Sequence, residues 1–187
     1  MGEVWFVTGG ARSGKSSYAE RLAARLDRPI TYIATLEPLD DEMRARIAQH
    51  REQRPSAWRT IEAPRALVEA ARTVPSADTL LLDCLSLWVS NRLLDLATDA
   101  PLPADVAAIE STLTKETRAL IATMAGREGR SIVVSNEVGS GLVPEYALGR
   151  AYRDLLGRAN QQVAQIAERA WLLVAGRALE LPPGELR

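Results

Sequence analysis

The segment at residues 9–16 reads Gly-Gly-Ala-Arg-Ser-Gly-Lys-Ser, which fits the phosphate-loop pattern G-x-x-x-x-G-K-S/T. It follows an apolar run at residues 4–7 that is typical of a short buried strand, and apolar residues at helical spacing come after it. Glycine-rich backbone can turn its N–H groups toward phosphate oxygens, and the next helix adds its positive N-terminal end. The segment therefore predicts a strand–loop–helix unit that binds a nucleoside triphosphate.

Apolar runs typical of strands alternate with amphipathic helical segments along the rest of the chain. We predict strands at residues 30–34, 58–62, 79–83, 131–135 and 171–175, with a short pairing strand at 178–181. We predict helices at 40–54, 85–96, 105–124 and 147–170, another opened by Pro64, a surface connection at 97–103 and a mobile loop at 139–144. This alternation implies a mostly parallel sheet with helices on both faces, as in RecA-like P-loop NTPases, within one α/β domain over residues 1–187.

Composition narrows the class of protein. The 187 residues are 47% hydrophobic, which is enough for one substantial core, and the formal net charge of −1 gives no reason to expect nucleic-acid binding. We see no charged leader followed by an apolar stretch, and no apolar run approaches the roughly 20 residues that cross a bilayer. We therefore expect a cytoplasmic protein without membrane insertion. The single cysteine, Cys84, excludes an internal disulfide and is expected to be a buried, small apolar residue.

Polar side chains follow most of the predicted strands. Ser16, Thr35, Glu62, Asp83 and Asn136 each lie just beyond one, and ligands bind at the carboxyl ends of strands in open parallel sheets. One crevice could therefore collect them all.

In a phosphate loop, Lys15 would neutralise the β- and γ-phosphates and the Ser16 hydroxyl would coordinate Mg²⁺. Asp83, at the end of a leucine-rich strand, is the candidate carboxylate that orders the water shell of the metal. The alternative for Asp83 is that it caps the helix that follows.

The only histidine, His50, lies on the predicted helix at residues 40–54 and shares a face with Met43 and Ile47. That spacing favours a packed core histidine. Arg51 and Arg54, however, form a cationic cluster suited to phosphate oxygens, and a neutral imidazole is a competent nucleophile toward phosphorus. Residue chemistry alone leaves both interpretations open.

Two further segments carry polar residues. The stretch at residues 137–144 contains two glycines after a buried strand, so it is either a substrate lid or a long turn. Arg153, Asn160 and Gln161 lie on an amphipathic helix, where a solvent-exposed face is the expected place for them.

Several motifs together resemble the bifunctional adenosylcobinamide kinase/adenosylcobinamide-phosphate guanylyltransferase family of cobalamin biosynthesis. The resemblance runs the length of the chain, and its histidine and N-E-V-G segments are the most specific. The motifs are T-G-G-A-R-S-G-K-S at 8–16, Y-I-A-T at 32–35, D-D-E-M-x-x-R-I-x-x-H-x-x-x-R-P at 40–55, W-R-T at 58–60, Asp83-Cys84, N-E-V-G-x-G-L-V-P at 136–144 and G-R-x-N-Q at 157–161.

The resemblance implies that ATP or GTP phosphorylates adenosylcobinamide, a corrinoid, and that GMP is then transferred from GTP through a guanylylated histidine, which corresponds to His50. It also implies Mg²⁺ at Ser16 and Asp83, and a homotrimer. The implied nucleotide contacts are Gly9, Gly10, Ala11, Arg12, Ser13, Gly14, Lys15, Ser16, Ala34, Thr35, Leu36, Arg51, Glu52, Gln53, Arg54, Glu62 and Asp83. The alternatives are a simple small-molecule kinase with a structural His50, and a nucleotide-controlled switch or assembly ATPase.

Overall fold

The computed structural model describes residues 2–37, 54–97 and 103–183. In these residues strands and helices alternate along the chain, and none of the helices is long and apolar enough to cross a membrane. The strands are β1 (Val4–Gly9), β2 (Ile30–Ala34), β3 (Arg59–Glu62), β4 (Thr79–Asp83), β5 (Ser131–Asn136), β6 (Arg169–Val174) and β7 (Arg177–Leu181). The helices are α1 (Lys15–Ala24), α2 (Leu67–Thr73), α3 (Leu85–Leu96), α4 (Pro103–Ala125) and α5 (Ala147–Ile166).

The strands form one sheet in the order β3-β2-β4-β5-β1-β6-β7, in which only β7 runs antiparallel to its neighbour. Strand β1 therefore lies in the interior of the sheet, and β5 separates it from β4. The carboxyl ends of the parallel strands meet at one edge, which we call the carboxyl edge. The expected mostly parallel α/β architecture is confirmed.

Both faces of the sheet are covered, but unequally. Helix α1 packs its Ala19 and Leu22 on one face, against Tyr32, Leu81 and Trp171. Among the described residues, helices α2, α3, α4 and α5 cover the opposite face. Strand β4 is buried on both sides because its leucines alternate between the two clusters.

Local sequence signals located several elements without error: β2, β4 and α3 have the predicted bounds. Strand β3 begins at Arg59 rather than at residue 58, and the helix expected from Pro64 begins at Leu67. Residues 40–53 of the predicted helix at 40–54 and most of the predicted connection at 97–103 lie outside the described residues.

The predicted helix at 147–170 is too long. Helix α5 ends at Ile166, and Arg169 and Ala170 instead pair with Trp5 and Phe6 as the start of β6. Glu168 lies between the end of α5 and the start of β6. Its N–H donates to the Val4 carbonyl at 2.9 Å, and its carboxylate accepts from the Val4 N–H at 2.5 Å. The ladder with β1 satisfies these backbone groups, and it outweighs an amphipathic pattern that would have continued the helix.

Candidate active site

The glycine-rich loop between β1 and α1 has a backbone that side chains would obstruct. A Cβ on Gly9 would lie 2.5 Å from the Leu173 carbonyl oxygen, so the loop passes too close to β6 for any larger residue. Gly14 has φ of +90° at the N-cap of α1, a left-handed conformation that favours glycine. The Ser13 N–H donates to the Gly10 carbonyl at 3.2 Å and closes the turn. The phosphate-loop pattern therefore forms a tight loop between β1 and α1 at the carboxyl edge.

Two neighbouring segments hold this loop. The Gly176 N–H, from the turn between β6 and β7, donates to the Ser13 carbonyl at 3.0 Å, and the Glu137 N–H, just after β5, donates to the Gly9 carbonyl at 3.0 Å. The Ser13 side chain is buried, and its hydroxyl has no hydrogen-bond partner among the described residues. Backbone contacts within the protein thus fix the loop, which lowers the entropy cost of binding a ligand there.

Lys15 and Ser16 begin helix α1. The Lys15 ammonium donates to the Gly10 carbonyl at 3.2 Å, which holds it over the loop. The first turn of α1 contains no acidic side chain, and the first N–H groups of a helix have no intrahelical acceptors. This end of α1 therefore presents an ammonium, a hydroxyl and N–H donors where an anion would bind.

A second group of polar residues surrounds the end of β4; we call Glu20, Tyr32, Arg54 and Asp83 the Asp83 cluster. The Tyr32 hydroxyl donates to Asp83 Oδ2 at 2.7 Å, and the Arg54 guanidinium lies 3.6 Å from the centroid of the Tyr32 ring. Burial, and then the negative charge of Asp83, raise the pKa of Glu20. The same two causes, in the same order, raise the pKa of Tyr32.

The structure does not support the alternative that Asp83 caps the following helix. Cys84 occupies the N-cap of α3, and no side chain caps that terminus. Cys84 is buried as expected, its Sγ lies 3.0 Å from Ser86 Oγ, and burial raises the pKa of its thiol to about 11. The Asp83 carboxylate is thus directed to Tyr32 rather than to the N-terminus of α3.

Thr35 holds the end of β4 in place. Its side chain is 0% exposed, and its hydroxyl both donates to the Cys84 carbonyl at 2.7 Å and accepts from the Cys84 N–H at 2.8 Å. The Thr35 N–H donates to the Asp83 carbonyl at 3.2 Å. Its side chain is therefore committed to the backbone that carries Asp83, a role that sequence reasoning missed.

The other predicted contacts occupy different parts of the carboxyl edge. Ala34 pairs with Glu62 on one side and with Asp83 on the other, and Leu36 is half-buried just beyond it. Glu62 is exposed on the edge strand β3, four strand spacings from β1, or about 19 Å. Gly10, Ala11 and Arg12 are exposed in the glycine-rich loop. His50, Arg51, Glu52 and Gln53 lie outside the described residues. As nucleotide contacts, all of these residues stay predictions.

Asn160 contradicts the expectation of a solvent-exposed helix face. It is buried, its Oδ1 accepts from the Ser135 hydroxyl at 2.6 Å, and its amide donates to the Asn136 carbonyl at 3.0 Å. The Asn136 amide in turn donates to the Ser86 hydroxyl at 3.0 Å, and its buried Oδ1 has no partner in the described chain. Helix α5 thus orients Asn136, which stands between the glycine-rich loop and Asp83. The amphipathic pattern missed Asn160 because a polar residue on a buried face gives no apolar signal.

Glu20 is a further residue that sequence reasoning missed. It lies four residues after Ser16, on the same face of α1, and α1 packs over β5 and β4. The four-residue spacing indicates that Glu20 shares a helix face with Ser16. Only the strand order, however, shows that this face of α1 approaches Asp83.

The donor set at this edge fits Mg²⁺. Within residues 2–37, 54–97 and 103–183, no group of three or more His, Cys, Asp or Glu side chains could hold a metal ion by itself. Ser16 and the Asp83 cluster offer a hydroxyl and carboxylate oxygens instead. Mg²⁺ keeps several waters and is usually held by one or two carboxylates together with substrate phosphates, so few protein ligands suffice.

The fold and the loop together define the class: this is a P-loop nucleotide-binding protein with a RecA-like parallel sheet. Its fold is similar to that of a prototypical ATPase from the type III secretion system of pathogenic bacteria, with a TM-score of 0.58 at 13% identity over 93% of this chain and 51% of that chain. At that identity the likeness shows the fold alone.

A family model described as cobinamide kinase / cobinamide phosphate guanyltransferase (CobU) matches residues 5–181. The chain is 42% identical to the bifunctional adenosylcobalamin biosynthesis protein CobU of Escherichia coli, over 94% of this chain and 97% of that protein. It is 44% identical to the protein CobP of the same description from Pseudomonas aeruginosa, over 94% and 95% of the two chains. The chain belongs to this cobinamide kinase / cobinamide phosphate guanyltransferase family.

The double hydrogen bond of Thr35 leads to a stability prediction. Thr35→Val keeps the shape of the side chain but leaves the buried Cys84 N–H without its acceptor, so the free energy of unfolding should fall by about 1–3 kcal/mol. Thr35→Ser keeps the hydroxyl and loses one methyl group, at a cost of about 1 kcal/mol or less. Urea unfolding of both variants measures the difference. Equal stabilities would mean that the hydroxyl does not hold this backbone.

Proposed function

We propose that the protein phosphorylates adenosylcobinamide and then converts the product to adenosylcobinamide-GDP by guanylyl transfer. The observation that carries this proposal is membership of the cobinamide kinase / cobinamide phosphate guanyltransferase family, with relatives matched over nearly their whole length. The preformed glycine-rich loop beside Asp83 supports it, because both reactions begin with a bound nucleoside triphosphate.

In the first reaction, the terminal hydroxyl of the aminopropanol arm of adenosylcobinamide attacks the γ-phosphorus of ATP or GTP. A new O–P bond forms, the bond to the β-phosphate oxygen breaks, the nucleoside diphosphate leaves and the hydroxyl proton passes to solvent or a base. Lys15, held over the loop by the Gly10 carbonyl, offsets the charge on the β- and γ-phosphates. Backbone N–H groups of the loop orient the triphosphate for in-line attack.

In the second reaction, a ring nitrogen of His50 attacks the α-phosphorus of GTP and pyrophosphate leaves. A phosphate oxygen of adenosylcobinamide phosphate then attacks the same phosphorus, and the His50 nitrogen is the leaving group. The covalent N–P intermediate divides one difficult transfer into two displacements. Arg51 and Arg54 offset charge on the α-phosphate, and the position of Arg54 in the Asp83 cluster supports this role.

The proposed nucleophile can be tested by labelling. With GTP labelled at the α-phosphate and with Mg²⁺, the wild-type protein should form an acid-labile GMP adduct, and His50→Ala should reduce it to background because no nucleophile remains. Gln49→Ala, a change at the neighbouring position, is the control and should load normally. His50→Ala should still phosphorylate cobinamide with ATP.

Label that persists on His50→Ala would exclude His50 as the nucleophile. A wild-type protein that phosphorylates cobinamide but never forms the adduct would instead be a simple small-molecule kinase.

We propose that Ser16 and Asp83 hold the Mg²⁺ that accompanies the nucleotide. The ion supplies charge neutralisation at the phosphates, while Tyr32 orients the Asp83 carboxylate through its 2.7 Å hydrogen bond.

Substitution of Asp83 tests the metal site. Asp83→Asn keeps an acceptor for Tyr32 but removes the charge, so the Mg²⁺ concentration for half-maximal kinase activity should rise by about 10- to 100-fold. Asp78→Asn is the matched control, because Asp78 precedes the same strand and accepts from the Thr31 hydroxyl at 2.9 Å. Titration of activity with MgCl₂ measures both variants, and equal Mg²⁺ requirements would exclude Asp83 as the ligand.

The family resemblance further leads us to propose a cytoplasmic homotrimer. Light scattering coupled to size-exclusion chromatography should then give a mass three times that of the chain. A mass that stays at that of one chain across the working concentration range would contradict the trimer.

A further inference from the structure

The segment that follows β5 exposes three large apolar side chains. We call residues 137–146 the apolar loop. Leu142 is 96% exposed, Val143 is 64% exposed and Tyr146 is 68% exposed, all within five positions of one another. Side chains of this kind on a short loop commonly mark a binding surface.

Contacts with helix α5 fix the backbone of the apolar loop. The Arg153 guanidinium donates to the Gly139 carbonyl at 2.7 Å, and the Arg150 guanidinium donates to the Glu145 carbonyl at 2.5 Å. The Gly139 N–H donates to the Glu137 carboxylate at 2.5 Å, and a Cβ on Gly149 would lie 2.7 Å from the Tyr146 ring. The loop therefore presents its apolar side chains from a defined backbone.

The apolar loop begins beside the glycine-rich loop. Asn136, the last residue of β5, pairs with Gly9, and the Glu137 N–H donates to the Gly9 carbonyl at 3.0 Å. A phosphoryl acceptor has to approach the γ-phosphate in line, with its reacting oxygen about 3–3.5 Å from phosphorus. The body of the acceptor must then rest on surface next to the glycine-rich loop, and the apolar loop starts from such a surface at Glu137.

We propose that Leu142, Val143 and Tyr146 bind the corrin ring of the acceptor, a proposal that rests on the proposed function. A corrinoid is a large macrocycle with a methyl-covered rim and amide arms. The three exposed side chains offer apolar contact to the rim. Since both reactions act on the same arm of the same ring, one surface serves both.

The patch by itself is smaller than a stable protein interface. Three side chains expose at most a few hundred Å², whereas a stable protein interface buries about 800 Å² on each partner. A flat ring can be held by a patch of this size together with a few polar contacts.

The test separates steps that need the acceptor from the step that does not. In the double variant Leu142→Ser, Val143→Ser, the KM for cobinamide in the ATP-dependent kinase reaction should rise at least about tenfold, since buried apolar contacts are lost. The KM for ATP and the acceptor-independent loading of GMP should not change. Leu142→Met keeps the apolar area and should retain the wild-type KM. Leu179→Ser, on the edge strand β7, is the control at another exposed leucine and should also keep it.

The outcomes are distinguishable. An active wild-type protein whose double variant keeps its KM for cobinamide overturns this inference and leaves the proposed function intact. A wild-type protein that does not phosphorylate cobinamide overturns both. A double variant that loses GMP loading and sediments at a smaller mass shows that the loop is a subunit interface, which also overturns the inference.

Discussion

The parallel ladder β4–β5–β1 is the interaction on which the rest of the structure depends. Its register aligns Gly9 with Asn136 and Val134 with Asp83, so the glycine-rich loop and the Asp83 carboxylate open onto the same edge with one strand between them. Helix α1 leaves the loop and packs back over β5 and β4, which brings the face that carries Ser16 and Glu20 toward Asp83. A shift in this register would separate the anion-binding loop from the carboxylates, although each would keep its own local structure.

The carboxyl end of β4 is fixed from several directions, and this matters because it carries the charge of the site. Thr35 binds the backbone on both sides of Cys84, and the Asn91 amide donates to the Thr35 carbonyl at 3.0 Å. Tyr32 then holds the carboxylate itself. Buried hydrogen bonds of this kind are costly to leave unmade, so each one restricts the alternatives available to Asp83. A carboxylate held in this way would need little reorganisation to bind the proposed Mg²⁺.

The sequence predicted what depends on neighbours in the chain. Strands β2 and β4 and helix α3 had the predicted bounds because each is a long apolar run next to clear turn or charge signals. The glycine-rich loop was recognisable because its residue pattern is also local to one segment of the chain. The end of α5, the burial of Asn160, the place of Glu20 near Asp83 and the structural role of Thr35 were missed, because each depends on which strand lies beside which. Amphipathic spacing indicates that a helix face is buried, but it does not predict the hydrogen bonds that stabilise a polar residue on that face.

The proposed second reaction requires that His50 reach a triphosphate held by the glycine-rich loop, and chain length bears on this. Arg54 is stacked on Tyr32 within the Asp83 cluster, on the carboxyl-edge side of the sheet. Four residues of chain span at most about 14 Å when fully extended, which is the longest reach from Arg54 that the proposed role of His50 allows. The arginine thus tethers the proposed nucleophile to the edge where the phosphates bind. Arg54 lies on the β2–β4 side of the carboxyl edge, whereas the apolar loop leaves that edge from β5. In the proposed reactions, His50 would then approach the α-phosphorus from one side of the bound nucleotide, and the acceptor hydroxyl would approach the γ-phosphorus from the other.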